Sequence, residues 1–562
     1  MTLAIEDRRF FEHDGLDLRG IARAAVRNLA AQEIVEGGST LTQQLVRNLY
    51  LSGDQTWERK RREACLAVKL EEQWTKERVL AAYLNRAFYG HRAIGIEAAA
   101  RTYFGRPASK LGPAQAALLA GLPQSPSLYD PMVRPKTAVA RRNQVLAAMR
   151  DVGAIPPQAY EQLIAKPLGL EPGKRYTRRR NPAFFQFVER QLVEAYGERL
   201  VREGGLEVRT TLLPRYQRLA RQAIRKNLDR KGDPASAIVS IDPRNGAIRA
   251  LVQIVPGRNP EFNVAWQGRR QVGSAFKTFV LVEAMRQGMN PYATRYLSAP
   301  FSYVPGPGQK PWEPKTYDGR YYGPSTVTQA TLRSDNVVYA RLTLDVGPRN
   351  VASRARAMGI TSRLEPVPSI GLGANSVSVL GMASAYATLA ANGVYREPYA
   401  IERVVLPSGE VDATTWKREK RRALPAPVAY QATRILERNM QEGTGTRARI
   451  GRPAAGKTGT TDEHTDAWFA GYTRRLATAV WVGYPKKTLQ MLNVHGIRVA
   501  GGTFPAQIWG DYMGRALQAR PLGWVEPKRR WEWRPWRGAH SLSSRLEDPR
   551  PDGADPYPPG PG

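Results

Sequence analysis

"GSAFK", residues 273–277, decides how the larger part of this 562-residue chain is read. It sets Ser274 and Lys277 three positions apart, neighbours on one face if the segment is helical. A serine hydroxyl is a poor nucleophile until a base takes its proton. A lysine can be that base only when burial or a second cation lowers its pKa. Alone, such a pair occurs by chance in many chains. Here it is followed by "SDN", with Ser334 and Asn336, and by "GKTGTT", with Lys457, Thr458, Gly459 and Thr460. Each piece has a job. Lys457 can lower the pKa of Lys277 and attract a carboxylate, and Ser334 can relay a proton to a leaving amine. Asn336 can hold Lys277 and a substrate amide. Gly459 lets a peptide come close to a strand edge, and the N–H groups of Ser274 and Thr460 would form an oxyanion hole.

The flanks agree with a folded domain around these motifs. "SAIVSIDPRNGAIRALVQ" (236–253) has two apolar runs about Asp242–Gly246, a hairpin signal. "DAWFAGYTRRLATAVWVGY" (466–484) is a second strand–turn–strand pattern, and "SVLGMASAYATLAANG" (378–393) is helical. Residues 231–520 are therefore expected to form an α/β domain with an antiparallel sheet. Residues 521–562, rich in Pro, Gly, Arg and Trp and ending in "DPYPPGPG", are expected to be a disordered tail. Upstream, 166–230 reads as a linker region containing the basic "LEPGKRYTRRRNP". Residues 1–165 read as mostly helical. Leu18, Ile21, Ala22, Ala25 and Leu29 share a face with Asp17 as cap, and Leu66, Leu70 and Trp74 form another stripe. "KERVLAAYLN" and "PAQAALLAGL" continue the pattern, without convincing strands.

Composition narrows the chemistry. The chain has 84 Lys and Arg against 50 Asp and Glu, a formal charge of +34, which suits an anionic partner without naming it. One cysteine, Cys65, excludes an internal disulfide and a thiolate metal cluster; its spacing suggests a packed small residue. The five histidines never fall at metal-ligand spacing. No apolar run approaches the ~18–20 residues of a membrane span, and charge arrives at Glu6 too early for a signal peptide.

The stretches "RRQVGSAFK" and "GKTGTTDEHTDAWFAGYT" resemble the transpeptidase domain of penicillin-binding proteins. The resemblance implies a serine β-lactamase-like fold. Its serine would attack a D-Ala-D-Ala stem peptide, expel D-alanine and pass the acyl group to a neighbouring stem's amine, with no cofactor. β-Lactams would acylate Ser274, and a DD-carboxypeptidase side activity is implied. Val272 and Thr278 stand where proline is usual in the family.

The first domain opens "EDRRFFEHDG" (6–15), followed by "GGSTLTQQL" (37–45) and "RKRRE" (59–63). Two acids, Glu6 and Glu63, are accompanied by Arg59 and Lys60. A glycosidase would use a carboxylate pair. A transferase that releases pyrophosphate needs one base and cations for the departing charge, which suits this set better. With "VLAAYLNRAFYG", "GIEAAARTYFGR" and "LLAGLPQSPSLYDP", the set resembles family 51 peptidoglycan glycosyltransferases, the N-terminal half of class A penicillin-binding proteins. The resemblance implies a helical, lysozyme-like fold. Glu6 would be the base for the GlcNAc 4-hydroxyl of lipid II, and Glu63 an assistant. Ser39, Thr40, Gln43, Gln44, Arg59 and Lys60 would line the substrate cleft, sometimes with a divalent metal, Mg or Mn. Ala81 and Gln115 replace frequent family acids, as does Arg86.

The implied whole is a bifunctional peptidoglycan synthase acting on lipid II and nascent peptidoglycan. Moenomycin-type inhibitors at the glycosyltransferase cleft and other cell-wall synthesis proteins are its implied partners. The family carries a membrane-spanning helix before its first motif, so the native protein is expected at the cell membrane, facing outward, with its anchor absent from this sequence. Two rival readings make distinct predictions. A β-lactamase or lytic glycosidase would give hydrolysed products. A basic nucleic-acid binder would show salt-dependent binding indifferent to Ser274, but the chain carries no nucleic-acid module.

Overall fold

The computed structural model describes residues 1–542 apart from 24–37, 51–56, 92, 173–180, 204–205, 257–261, 407–408, 417 and 486–487. The chain forms two compact units: residues 1–180 with 196–206, and residues 181–195 with 207–562.

The first unit is helical. A short helix, Thr2–Glu6, precedes α1 (Leu41–Tyr50), α2 (Trp57–Gln73), α3 (Lys76–Arg86), α4 (Pro113–Gly121) and α5 (Pro135–Asp151). Each begins for a local reason. The Thr75 hydroxyl accepts from the Arg78 N–H to cap α3, while proline occupies the first turn of α4 and α5. Leu70 lies in the core with Leu41, Leu45, Tyr83 and Tyr103, and Leu66 and Trp74 pack against it, as the stripe predicted. Among the described residues of this unit β-pairing is limited to the bridge Phe88–Ile94. Two expectations need correction. Leu18 and Ile21 are 73% and 40% exposed rather than buried, and Ala25 and Leu29 lie outside the described residues. Cys65 is exposed, not packed, because it falls on the solvent side of α2.

The second unit is an α/β sandwich. It comprises α6 (Pro214–Asn227), strands β1 (Ala235–Ile241) and β2 (Ile248–Ile254), α7 (Lys277–Arg286), β3 (Arg295–Ser298), α8 (Val327–Arg333) and α9 (Asn336–Val346). These lead to α10 (Val379–Ala390), α11 (Ala426–Glu442), β4 (Ala455–Thr460), β5 (Asp466–Tyr472), β6 (Ala477–Gly483) and α12 (Phe504–Ala516). The central sheet has order β4-β5-β6-β1-β2 and is antiparallel throughout. Both predicted hairpins are present, β1–β2 and β5–β6. Ala220, Ile224, Trp509 and Met513 of α6 and α12 share one core with Ile238, Val252, Phe469 and Val480 of the sheet.

That core corrects the expected linker region. Residues 207–227 give a strand, Glu207–Thr210, paired with Ile401–Val405, and helix α6, whose apolar face is buried against the sheet. The Pro, Gly and Arg that suggested a connector are confined to its start, and 173–180 lie outside the described residues. The tail expectation also fails in part. Residues 521–542 are placed on the second unit by hydrogen bonds, the Trp524 indole donating to Glu437 at 2.8 Å among them. Residues 543–562 lie outside the described set.

Candidate active sites

Ser274 sits in a 3₁₀ turn, Gly273–Phe276, that runs directly into α7, so its hydroxyl stands at the positive end of a helix. Lys277, the first residue of α7, is fully buried. Its Nζ donates to the Ser334 carbonyl at 2.6 Å, the Asn336 Oδ1 at 2.7 Å and the Ser334 Oγ at 3.3 Å. Burial, and next the charge of Lys457, hold Lys277 well below the ordinary lysine range. A lysine with a lowered pKa thus stands three residues after Ser274, its amine held by Ser334 and Asn336.

Lys457 enters from β4, an edge strand of the sheet. It is fully buried, donates to the Ser334 Oγ at 2.9 Å, and is lowered by burial to about 7. The Ser334 hydroxyl therefore lies between two amines. Its backbone is left-handed, with φ 59°, because it closes α8 before α9 begins. Asp335 makes that turn possible: its carboxylate accepts from the N–H groups of Val337 and Val338 at 2.9 and 3.0 Å, capping α9. Its other oxygen accepts from the Ser298 hydroxyl at 2.5 Å. Asn336 donates to the Lys315 carbonyl at 2.7 Å, which fixes its amide oxygen toward Lys277.

Gly459 shares a strand face with Lys457. A Cβ there would meet the Val272 carbonyl at 2.2 Å, so the glycine lets β4 close on the serine turn. Thr458 Oγ1 lies 2.7 Å from Thr444 Oγ1, and Thr460 Oγ1 accepts from the Gly501 N–H at 2.9 Å. Thr278 fills a proline's usual position by hydrogen-bonding Tyr386 at 2.8 Å. Sequence reasoning missed Tyr339, whose ring faces Lys277 at 5.5 Å. The spacing of Asn336 and Tyr339, one helical turn, was the available signal.

In the first unit a cleft of about 570 Å³ is lined by Glu6, Ser39, Thr40, Gln44, Arg47 and Arg141, among others. Glu6 accepts from the Arg141 guanidinium at 3.2 Å and from the Gln44 amide at 3.0 Å. Gln44 is held in turn by the Tyr83 hydroxyl at 3.1 Å. Arg141 was missed, being 135 residues from Glu6 with no local motif. Asp7 accepts from the Leu41 N–H at 2.9 Å and pairs with His13 at 3.1 Å, fastening the strand of sequence beside Glu6 to the start of α1.

The other predicted residues divide by role. Thr40 and Gln43 form a reciprocal capping box at the start of α1, at 3.2 and 3.0 Å, and Thr40 also donates to the Gly15 carbonyl at 2.7 Å. Both side chains thereby shape the loop, and Thr40 also lines the cleft. Glu63 is 1% exposed and paired with Arg59 and with Lys60, the latter at 3.1 Å. Lys60 also donates to the Ser39 hydroxyl at 2.6 Å, so it ties the cleft loop to α2. Burial, then the charges of Arg47 and Arg59, lower the pKa of Lys60. Among the described residues no three His, Cys, Asp or Glu side chains converge as metal ligands. Glu6, Asp7 and Glu63 are each engaged by protein donors, so this donor set does not fit a divalent ion and no step is derived through one.

Comparison with known proteins follows the same division. The family model described as Transglycosylase matches residues 1–150, and that of the penicillin binding protein transpeptidase domain matches 236–493. Penicillin-binding protein 2D of Bacillus subtilis (strain 168) is 34% identical, over 92% of this chain and 76% of its own. Penicillin-binding protein 1A of Aquifex aeolicus is 33% identical, over 91% and 81%. The structure of PonA1 from Mycobacterium tuberculosis, also solved in complex with penicillin V, is 32% identical with TM-score 0.56, covering 63% of this chain and 96% of that one. Penicillin-binding protein 1A from Haemophilus influenzae has the same fold, with TM-score 0.66 at 23% identity over 87% of this chain and 89% of that one.

Proposed function

The chain belongs to the class A penicillin-binding proteins, and on that premise we propose that Glu6 and Ser274 are the reacting centres of its two activities. The enzyme polymerises lipid II into glycan strands and cross-links the stem peptides by D-Ala-D-Ala transpeptidation. The observation that carries our assignment is the buried lysine Lys277, lowered in pKa and gripped by Ser334 and Asn336, on the helix that the Ser274 turn leads into.

In transpeptidation, neutral Lys277 takes the proton as Ser274 Oγ attacks the penultimate D-Ala carbonyl. The N–H groups of Ser274 and Thr460 receive the oxyanion. Ser334, between Lys277 and Lys457, passes a proton to the departing D-alanine amine. The second stem's amine then attacks the acyl-serine and regenerates the hydroxyl. Base, nucleophile and donors all belong to the chain, so this half needs no cofactor. A β-lactam follows the same path as far as the acyl-enzyme, a reading supported by the relative solved in complex with penicillin V.

In glycan polymerisation, Glu6 takes the proton of the acceptor's GlcNAc 4-hydroxyl while that oxygen attacks C1 of the donor MurNAc. Arg141 and Gln44 orient the carboxylate. The departing pyrophosphate is met by the cationic side of the cleft, Arg47 with Lys60 behind Ser39. Glu63 balances Arg59 and Lys60 instead of reacting. Moenomycin-type inhibitors would compete for the same cleft. No helix among the described residues is long and apolar enough to cross a membrane. A substrate with an undecaprenyl tail is met at the cell membrane, and our reading puts the work at its outer face, where other wall-synthesis proteins would meet it.

Labelling with a fluorescent penicillin, followed by peptide mapping, tests the assignment. The label is expected on Ser274 and nowhere in Ser274→Ala; label retained in that variant refutes it.

A further inference from the structure

Residues 521–542 have the composition of a disordered tail, yet they make directed contacts. The Trp531 indole donates to the Met285 carbonyl at 2.9 Å, and the Arg534 N–H to the Gly288 carbonyl at 2.8 Å, both at the end of α7. The Trp536 indole donates to the Tyr296 hydroxyl at 2.8 Å, which itself donates to Asp345 Oδ2 at 2.9 Å. The His540 N–H donates to Asp345 Oδ1 at 3.1 Å, and His540 Nδ1 lies 2.7 Å from the same oxygen. Ser541 adds a β-bridge to Tyr296. A Cβ on Gly538 would sit 2.1 Å from Asp345 Oδ2, so only glycine lets the segment approach this closely.

Asp345 is the clue to what these contacts do. It is 1% exposed and lies in the last turn of α9, where a carboxylate meets the negative end of the helix. Such a group persists only when donors satisfy it. Tyr296 supplies one, Arg341 faces it with a positive charge, and the segment supplies the rest. The other end of α9 holds Asn336, whose amide oxygen grips Lys277. Strand β3 is fastened to both ends, through Ser298 to Asp335 and through Tyr296 to Asp345.

We propose that residues 524–541 are a clasp that holds α9 in the place from which Asn336 and Ser334 engage Lys277, with Trp536 and His540 as positioning residues. This rests on the transpeptidase reading above. Neither residue touches substrate; each acts through Asp345. Releasing the clasp leaves a buried carboxylate short of donors, and α9 shifts to rehydrate it. The cost falls on the chemical step rather than on binding of the substrate.

The test uses the full chain with fluorescent penicillin, separating initial binding from acylation, and hydrogen exchange over 336–346. His540→Ala is expected to acylate about tenfold more slowly, with initial binding unchanged and exchange in α9 accelerated. His540→Asn, whose amide can occupy the Nδ1 position, should restore both. Parental acylation and exchange in His540→Ala overturn the proposal, as does a loss that Asn fails to restore. Should His540→Ala not fold, Trp536→Phe, which removes the indole N–H and keeps an aromatic ring, is read by the same criteria. If the parent takes no penicillin, the transpeptidase reading fails while the exchange of α9 still decides the clasp.

Discussion

Adding one methyl group beside the nucleophile, in Gly273→Ala, is predicted to cripple acylation while leaving both units folded. Gly273 has φ 56°, and a Cβ built on it lies 2.3 Å from the Thr460 carbonyl oxygen, 2.7 Å from its carbon and 2.9 Å from its nitrogen. All three obstacles are backbone of β4, which is fixed by its ladder to β5, so the relief has to come from the serine turn. Restoring ordinary contact requires a displacement of about 1 Å, and the left-handed alanine adds ~1–2 kcal/mol of local cost. Ser274 then moves away from the Thr460 N–H that helps form the oxyanion hole. A misplacement of that size costs on the order of 10²-fold in rate, or ~2.7 kcal/mol of transition-state stabilisation. The assay is stopped-flow acylation by a fluorescent penicillin, with circular dichroism as the folding control and lipid II polymerisation as an internal reference for the first unit. Acylation within threefold of the parent, in a folded protein, would refute the close packing of the turn on β4 as the origin of the geometry.

Other outcomes follow from the same contacts. Lys457 is lowered to about 7 against 10.5 for an exposed lysine, so between these values the unfolded chain holds a proton that the folded one has lost. Stability should therefore climb with pH across that window and fall as pH drops to about 7. Lys457→Met should flatten the climb, measured as the denaturation midpoint against pH. Acylation should rise with pH through the lowered pKa of Lys277, because only its neutral form accepts the serine proton; a rate falling over that limb would contradict the base assignment. In the first unit, Arg141→Ala should slow glycan polymerisation ~10–100-fold by freeing the Glu6 carboxylate while leaving penicillin acylation unchanged, read from glycan product formed per minute.

Much of the second site was legible because its chemistry is local. The S-x-x-K, S-D-N and K-T-G motifs are each contiguous in sequence, at a turn-to-helix junction, a helix-to-helix junction and a strand, and the strand–turn–strand pattern of β5 and β6 marked the sheet that presents Lys457. What sequence could not supply were partners set by tertiary approach. Arg141 reaches Glu6 from α5 with no periodic or spacing signal. The i, i+3 spacing of Thr40 and Gln43 also belonged to a capping box, a local role that the cleft reading had not seen. The clasp was hidden for a different reason. Its energy lies in indole and amide donors aimed at distant acceptors, not in an apolar stripe, so composition reads it as disordered. The helix α6 was lost in the supposed linker because nearby basic and Pro-rich residues outweighed its own strongly amphipathic pattern.

The most direct test of two activities in one chain is to supply lipid II to the parent, Glu6→Gln and Ser274→Ala, digest the product with a muramidase and separate the fragments. The parent should yield cross-linked fragments, Ser274→Ala glycan without cross-links, and Glu6→Gln no glycan. Strands from Glu6→Gln, or cross-links from Ser274→Ala, would contradict the account.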